Sequence, residues 1–270
     1  MLKKTIAIVC ALCVIFSLVS CADSSESSTQ TSADSSSQTP VNSDDESTLD
    51  STVSSKPKSD KTLWKRKMVA ITVDDGPKDC TEKLLDGLKG KNAKVTFFLL
   101  GQNIDKRPDL VKRMVDEGHT IGWHSYDHEI KSTTKDKDVE QNFKLAQETL
   151  DKHGINYKYK FYRNPGGQKS EIIDKYAQQY GFSIFEWTNG NFNDKLPTAK
   201  QMCDSTFEGV VTSGSVILVH DYNETVVDGI LLLVDTLIEK GFEVVNLEEL
   251  MKRKNGGKPG VHYANGAIIW

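Results

Sequence analysis

The chain has 270 residues and a formal net charge of −4 at pH 7, with 34 basic and 38 acidic side chains. This balance argues against a nucleic-acid-binding protein, which would carry a basic excess. The composition changes abruptly along the chain, so the sequence divides into an apolar leader, a polar linker and a longer mixed segment.

The N-terminus has the charge pattern of a secretion signal. Two lysines precede an uncharged, mostly apolar run over residues 5–19, which is shorter than the ~20 residues that comfortably span a bilayer. The run ends in Leu18-Val19-Ser20-Cys21, which resembles the bacterial lipobox. That resemblance implies a lipoprotein signal peptide over residues 1–20 and lipidation of Cys21, so that the protein is exported and anchored to the bacterial membrane, facing outside. An ordinary signal peptide or an uncleaved anchor is the alternative.

Residues 21–60 comprise Cys21, the expected lipidation site, and a serine-rich linker. Serine accounts for 14 of the 39 residues from Ala22 to Asp60, which include no aromatic side chain and eight acids against two lysines. Such a segment cannot bury enough apolar surface to offset its ordering entropy. We therefore expect a flexible spacer that lifts a domain off a membrane.

Residues 61–270 carry no net charge and are long enough for one sizeable domain, but not for two. Short apolar runs alternate here with amphipathic segments, which predicts seven parallel strands with helices between them. A barrel and an open doubly wound sheet fit this pattern equally. The predicted strands are Met68–Val73, Val95–Leu100, Thr120–Trp123, Lys160–Arg163, Phe182–Trp187, Ser215–His220 and Phe242–Asn246. The predicted helices are Thr81–Lys89, Pro108–Glu117, Asp138–His153, Ser170–Gln179, Thr198–Val211 and Val226–Lys240.

The polar residues of this segment gather at the strand ends, where parallel α/β folds place functional groups. The first strand ends in Asp74-Asp75-Gly76-Pro77. Two adjacent acids that point in different directions can divide the work, one binding a cation and the other accepting protons. Asp-Gly-Pro is also common turn chemistry, so a purely structural role is equally compatible.

The third strand is followed by His124-Ser125-Tyr126-Asp127-His128. Two close histidines and a distant carboxylate make up the set of ligands of a catalytic metal site with open positions. His119, His153 and His262 lack such partners in the sequence, and we expect structural roles for them.

The fourth strand ends in Arg163-Asn164-Pro165-Gly166-Gly167 and the sixth delivers His220. An arginine can orient a neighbouring carboxylate and favour its charged form. Taken alone, Arg163 is better explained as a surface residue before a turn. Of the cysteines in the folded segment, Cys80 and Cys203 could form a disulfide, which the sequence leaves open.

These motifs, in this order, resemble those of the polysaccharide deacetylase family, also called carbohydrate esterase family 4 or the NodB-homology domain. Val95–Phe98 and Glu117–Gly122 are similar to its intervening segments, and the resemblance covers about Lys67 to Leu250. It implies a single α/β domain, a distorted barrel of about seven parallel strands, over residues 61–270. It also implies removal of acetyl groups from a polysaccharide with one divalent metal ion, Zn²⁺ or Co²⁺.

Where the motifs match, the resemblance implies the family's role for each residue of the site. Asp75, His124 and His128 would bind the metal. Asp74 would be the general base, positioned by Arg163, and His220 the general acid. Gly166 would offer an N–H to the oxyanion. Leu218 would contact the acetyl methyl group, and the substrate-binding set would be completed by Pro165 and Trp187.

The fourth family motif departs from the pattern. The family usually follows a strand-end tryptophan with an Asp-Trp segment whose first aspartate polarises the acid histidine. Here Trp187 is followed by Thr188-Asn189-Gly190-Asn191-Phe192-Asn193-Asp194, without Asp-Trp. The carboxylate partner of His220 is therefore left open.

The substrate is open as well. We expect a monomer that acts on N-acetylglucosamine of peptidoglycan or a chitin-like glycan, with acetyl-xylan O-deacetylation as the alternative. A non-catalytic glycan-binding lipoprotein would explain the departure in the fourth motif. An iron-dependent redox enzyme would need a cosubstrate site for which the sequence carries no signal.

Overall fold

In the computed structural model, the strands and helices alternate as the sequence predicts and wrap into an incomplete parallel barrel. The structure describes residues 65–188, 192–252, 256–264 and 267–268. The strands in this part of the chain are β1 Met68–Gly76, β2 Thr96–Leu99, β3 Thr120–Trp123, β4 Phe161–Tyr162, β5 Ser183–Phe185, β6 Val216–His220, β7 Glu243–Val244, β8 His262–Ala264 and β9 Ala267–Ile268. Its α-helices are α1 Thr81–Leu88, α2 Gly101–Lys106, α3 Pro108–Asp116, α4 Asp136–Lys152, α5 Glu171–Tyr180, α6 Ala199–Glu208, α7 Glu224–Glu239 and α8 Leu247–Met251.

The helix boundaries follow local capping chemistry. Ser170 and Asn223 accept hydrogen bonds from backbone N–H groups in the first turns of α5 and α7, which is the usual way to begin a helix. Gly181 ends α5 with a φ of 83°, a left-handed conformation that glycine adopts at little cost. The four elements that the pattern did not predict, α2, α8, β8 and β9, are all short.

The sheet order is β6-β1-β2-β3-β4-β5-β8-β9, and β7 pairs with the start of β1. All these neighbours run parallel except β9, which is antiparallel to β8. Between β5 and β6 the sheet is joined through Thr188, whose backbone N–H donates to the carbonyl oxygen of Val216 at 2.8 Å. The prediction of a distorted α/β barrel of parallel strands is therefore confirmed.

The buried side chains form two layers. The larger cluster fills the space between the strands and the surrounding helices. The smaller one lies inside the barrel and includes Ala70, Phe98, Phe161, Phe185 and residues of α8. Because α8 packs into the interior cluster near the start of β1, the barrel is filled from that end, and the functional groups lie at the carboxyl ends of the strands.

Several sequence predictions fall outside the described residues. The signal peptide over 1–20, the linker over 21–60 and lipidation at Cys21 remain predictions, as do the domain boundaries. No helix in the described part of the chain is long and apolar enough to span a bilayer. Cys80 and Cys203 are both free, so the disulfide that the sequence left open does not form here.

Candidate active site

Asp74 and Asp75 point to different partners because the backbone changes conformation between them. The β1–β2 register pairs Asp74 with Phe98 and Gly76 with Leu99, which leaves Asp75 as the extra residue of a bulge. Asp75 has a φ of 66°, in the left-handed region that non-glycine residues seldom occupy. Strained backbone of this kind concentrates at functional sites. The bulge therefore lets two neighbouring acids serve separate groups.

Asp75, His124 and His128 come together at this edge of the barrel, with one candidate ligand atom from each lying within 4.8 Å of the others. Asp75 Oδ1 lies 3.5 Å from His124 Nε2 and 3.6 Å from His128 Nε2. His124 follows β3 directly, and the loop after it brings His128 back with a φ of 69°. His128 N–H donates to Ser125 Oγ at 2.9 Å, which fixes that loop.

The three side chains fit a divalent ion such as zinc. Ligands about 2.1 Å from a tetrahedral ion lie about 3.4 Å apart, close to the spacings found here. Asp75 Oδ1 is buried and has no hydrogen-bond donor among the described residues, as expected for an atom that faces a cation. Burial lowers the pKa of His124 in spite of the nearby Asp74, so the ring is neutral, the form that ligates metals. Its Nδ1 donates to the Arg163 carbonyl oxygen at 2.8 Å, which directs Nε2 toward the site.

Asp74 is held by Arg163 instead. Arg163 Nη1 donates to Asp74 Oδ1 at 2.7 Å, and both side chains are buried. Asp74 Oδ2 lies 3.7 Å from His124 Nε2, next to the candidate metal ligands. A buried carboxylate with a cationic partner on one oxygen keeps its other oxygen available for proton transfer.

Arg163 is fully buried, which corrects the alternative of a surface arginine before a turn. Its Nε donates to the Phe185 carbonyl oxygen at 2.9 Å, and its guanidinium lies 4.2 Å from the centre of the Phe98 ring. A planar guanidinium can make several directed bonds at once, which suits it to a buried bridging position. Arg163 therefore links the end of β5 to Asp74 above the interior core.

His220 has a carboxylate partner after all. Its Nδ1 donates to Asp194 Oδ2 at 2.9 Å, and its Nε2 lies 4.0 Å from Asp75 Oδ2. Asp194 is the last residue of the stretch 188–194, which follows Trp187 and departs from the family pattern. The carboxylate partner of His220, which the sequence left open, is therefore Asp194. The signal in the sequence was an acid in the expected stretch at a shifted position.

The predicted substrate-binding residues surround these groups. Leu218 and His220 lie two residues apart on β6 and pair with Thr72 and Asp74 of β1. Their side chains therefore lie on the same face of the sheet as that of Asp74. Pro165 and Gly166 form a short 3-10 turn after β4, in which Gly167 N–H donates to the Asn164 carbonyl oxygen at 3.0 Å. The hydrogen bond that closes this turn is donated by Gly167, so it does not involve the Gly166 N–H that is predicted to contact the oxyanion.

Trp187 is 39% exposed and packs over the same turn. A Cβ placed on Gly167 would come within 3.0 Å of the Trp187 ring, so the close approach requires a glycine. Gly166, Gly167 and Trp187 line an open groove of about 340 Å³ together with Lys169 and Glu186.

The other histidines hold structural positions, as the sequence predicts. His119 accepts a hydrogen bond from the Val95 N–H, and burial lowers its pKa to about 4. His153 pairs with Asp105 at 2.6 Å, and His262 pairs with Asp174 at 2.7 Å.

The comparisons with known proteins agree with this site. A family model described as polysaccharide deacetylase matches residues 63–185. A peptidoglycan-N-acetylglucosamine deacetylase of Bacillus cereus is 34% identical over 189 residues, which make up 68% of each chain. Peptidoglycan-N-acetylglucosamine deacetylase PgdA of Listeria monocytogenes is 32% identical over 190 residues, which cover 70% of this chain and 40% of that protein.

Among solved structures, one described as T48 deacetylase with substrate superposes with a TM-score of 0.67 at 30% identity. The match covers 74% of this chain and 98% of that one. The fold and the site define a carbohydrate-active hydrolase built on an incomplete barrel of parallel strands. The chain belongs to the polysaccharide deacetylase family and is a hydrolase that acts on acetylated polysaccharide.

Proposed function

We propose that the protein removes N-acetyl groups from N-acetylglucosamine units of peptidoglycan or a chitin-like glycan in a metal-dependent reaction. The observation that carries the proposal is the placement of two proton-transfer groups beside one candidate metal set. Asp74 and His220 have separate partners, Arg163 and Asp194, and both lie about 4 Å from ligand atoms of that set.

Asp75, His124 and His128 would hold the ion. When bound, it supplies Lewis acidity for the acetyl carbonyl and for the attacking water. The donor set of two imidazoles and one carboxylate suits zinc or cobalt.

The chain's own residues would carry the protons. Asp74 accepts a proton from the water that attacks the acetyl carbon. The Gly166 N–H donates to the oxygen that becomes negatively charged. His220 Nε2 then donates a proton to the departing nitrogen, the carbon–nitrogen bond breaks, and acetate and a free amine leave. Asp194 holds the opposite ring nitrogen throughout, so Nε2 faces the substrate.

The alternative function, a non-catalytic glycan-binding protein, is less well supported by the structure than by the sequence alone. Its one supporting feature was the lack of a partner for His220, and Asp194 occupies that position. Acetyl-xylan remains the alternative substrate, since an ester would use the same groups.

The relatives act on cell-wall glycan according to their names, which supports an extracytoplasmic location for this chain. A lipid anchor at Cys21 and the serine-rich linker would hold the domain within reach of the wall.

The test is acetate release from N-acetylated glycan fragments of peptidoglycan, from chitooligosaccharide and from acetyl-xylan, assayed side by side. We expect release from the N-acetylated glycans with Zn²⁺ or Co²⁺ present and loss of release after chelation. Asp74→Asn protein serves as the control for contaminating activity. Full release by rigorously metal-free protein would contradict the metal requirement, and release from acetyl-xylan alone would contradict the substrate.

A further inference from the structure

A second groove lies on the side of the site that faces α2. It has a volume of about 330 Å³ and is lined by Pro77, Lys78, Asp79, Asn103, Lys106, Arg107 and Tyr222. These residues come from three places in the chain: the loop after β1, the end of α2 and the residues after β6. No sequence motif connects them.

The inner wall of this groove touches the candidate active site. Lys78 Nζ lies 3.5 Å from Asp75 Oδ2, and Asn103 Nδ2 donates to the Asp75 carbonyl oxygen at 2.9 Å. Tyr222 O–H donates to the Asp194 carbonyl oxygen at 2.6 Å. A glycan bound with one sugar at the catalytic groups would therefore place an adjoining sugar at this groove.

The loop that carries Lys78 is held in place. The backbone N–H of Lys78 donates to Thr81 Oγ1 at 2.8 Å, and the Thr81 hydroxyl donates to the buried Asp221 carboxylate. Lys78 is thus presented by an ordered turn and not by a free surface loop.

The groove is cationic, although residues 61–270 as a whole carry no net charge. Three cations line it against one acid, Asp79. Lys78 already lies 3.5 Å from the Asp75 carboxylate, so Lys106 and Arg107 provide the positive charge that is left for a ligand. Within the described residues no carboxylate pairs with Lys106, whose Nζ lies 3.4 Å from the neutral Asn103 Oδ1. Arg107 Nε is 3.8 Å from the exposed Asp109, a long contact that solvent screens and that contributes little.

The cavity at the opposite end of the barrel shows a different arrangement. Arg66 there bridges Glu243 and Glu249, so its charge is already matched by carboxylates. The groove beside Trp187 contains the acid Glu186 as well as Lys169. Among the described residues, the excess of positive charge therefore distinguishes the groove on the α2 side from these two.

Tyr222 adds an apolar face. Its ring is 44% exposed, and Lys78 Nζ lies 5.9 Å from the ring centre. An exposed aromatic ring next to cations suits a ligand with a carbohydrate ring and a negative substituent.

We propose that this groove, which we call the cationic subsite, binds a carboxylate carried by the sugar next to the N-acetylglucosamine that is deacetylated. The substrate would then be an acidic glycan such as a peptidoglycan strand without stem peptides, whose alternate sugars carry free lactyl carboxylates, and not neutral chitin or acetyl-xylan. The inference rests on the proposed function and narrows its substrate. Lys106 and Arg107 are specificity-determining residues in this assignment.

The experiment compares binding of a soluble, peptide-free glycan fragment of peptidoglycan with binding of the same fragment after its sugar carboxylates are converted to methyl esters. Calorimetric titration of the full-length protein is independent of turnover. We expect the wild type to bind the acid form about 3- to 10-fold more tightly at low salt, as for a few partly exposed ion pairs. The preference should shrink as salt is added.

Lys106→Glu should abolish the preference, and Arg107→Gln should reduce it. The matched control is Lys158→Glu, which makes the same change in net charge at an exposed position before β4, at the opposite end of the barrel. It should retain the wild-type preference. Equal binding of acid and ester by the wild type overturns the subsite, and so does an equal loss in Lys106→Glu and Lys158→Glu, which would indicate a general charge effect.

The proposed function fails on a different result. A wild-type protein that releases no acetate from any glycan would refute the deacetylase proposal, whereas the binding comparison would still decide the cationic subsite.

Discussion

At Asp74 and Asp75 two side chains of identical chemistry have different surroundings. Asp74 faces Arg163 in the interior of the barrel, whereas Asp75 is turned by the bulge toward His124 and His128. The assignment of one as base and the other as metal ligand rests on these contacts, because nothing in the local chemistry of the two residues separates them.

Asp74→Asn should keep the metal bound and lower turnover by ~10²–10⁴-fold, the usual effect of removing a positioned proton acceptor. Asp75→Asn should weaken metal affinity, because a neutral amide replaces a charged ligand, and added metal should partly restore activity. Metal content and kcat are measured on both proteins. If Asp74→Asn loses metal while Asp75→Asn keeps metal and rate, the two roles are reversed.

Asp194 gives His220 a fixed orientation through Nδ1. In Asp194→Asn the amide can still accept a hydrogen bond, but the charge that stabilises the protonated ring is lost. We expect metal to stay bound and kcat to fall, by no more than the ~10²–10⁴-fold expected for His220→Ala. The double variant separates the pair from independent effects: a loss equal to that of His220→Ala alone supports one unit. A simple product of the two losses would contradict it.

Among the secondary-structure elements, β8 connects the C-terminal part of the chain to the wall of the site. It pairs with β5 through Ile184 and Phe185, and its residue His262 is nearly buried between two acids. His262 Nε2 contacts Asp174 Oδ1 of α5, and Nδ1 lies 3.5 Å from Glu186 Oε1. Glu186 and Trp187 both line the substrate groove, so β8 contacts the wall of that groove through His262.

His262→Asn should lower the free energy of unfolding by about 1–3 kcal/mol, the cost of breaking a buried hydrogen-bonded contact. Burial opposes the charged form of His262, but the hydrogen bond to Asp174 and the nearby Glu186 carboxylate outweigh it, and the pKa of His262 is raised above the ordinary value of 6.5. A raised pKa in the folded state contributes stability that is present below the ordinary pKa and lost as pH rises through the folded one.

The stability difference between wild type and His262→Asn should therefore be largest below about pH 6.5 and shrink in alkali. Denaturant unfolding from about pH 5 to about pH 9 measures it. Asp174→Asn is the matched variant and should show the same trend. A difference that grows with pH would contradict the charged state assigned to His262.

At the scale of the whole molecule, a catalytic domain that is neutral overall would be joined to a membrane through an acidic, serine-rich linker. The site itself lies at the carboxyl ends of the strands, with Trp187 on one side and the cationic subsite on the other. An enzyme tethered in this way would work on an insoluble polymer by reach and local concentration.

Cys21→Ser should release the protein from membranes or leave its precursor unprocessed, because the anchoring group would have no thiol to attach to. Detergent-phase partitioning and the mass of the mature protein measure this. Cys13→Ser, within the same leader, is the control and should change neither. Unchanged partitioning and processing of Cys21→Ser would count against lipidation.

The fold class and the residues of the candidate metal set could be predicted from the sequence because their signals are local. Each strand is a short apolar run, and the first functional residue of each motif lies at or next to the carboxyl end of its strand, so the parallel arrangement brings these residues together without further information. His124 and His128 are separated by only three residues, and their spacing is visible in the chain.

The tertiary structure decided what depends on contacts between distant residues. Asp194 lies 26 positions before His220 in the sequence, and only the tertiary structure places its carboxylate next to the His220 Nδ1. The cationic subsite draws on three separate elements, and Asp174 reaches His262 across 88 positions. A local pattern cannot report such pairs, because their proximity is set by how the barrel closes and not by the neighbours of either residue.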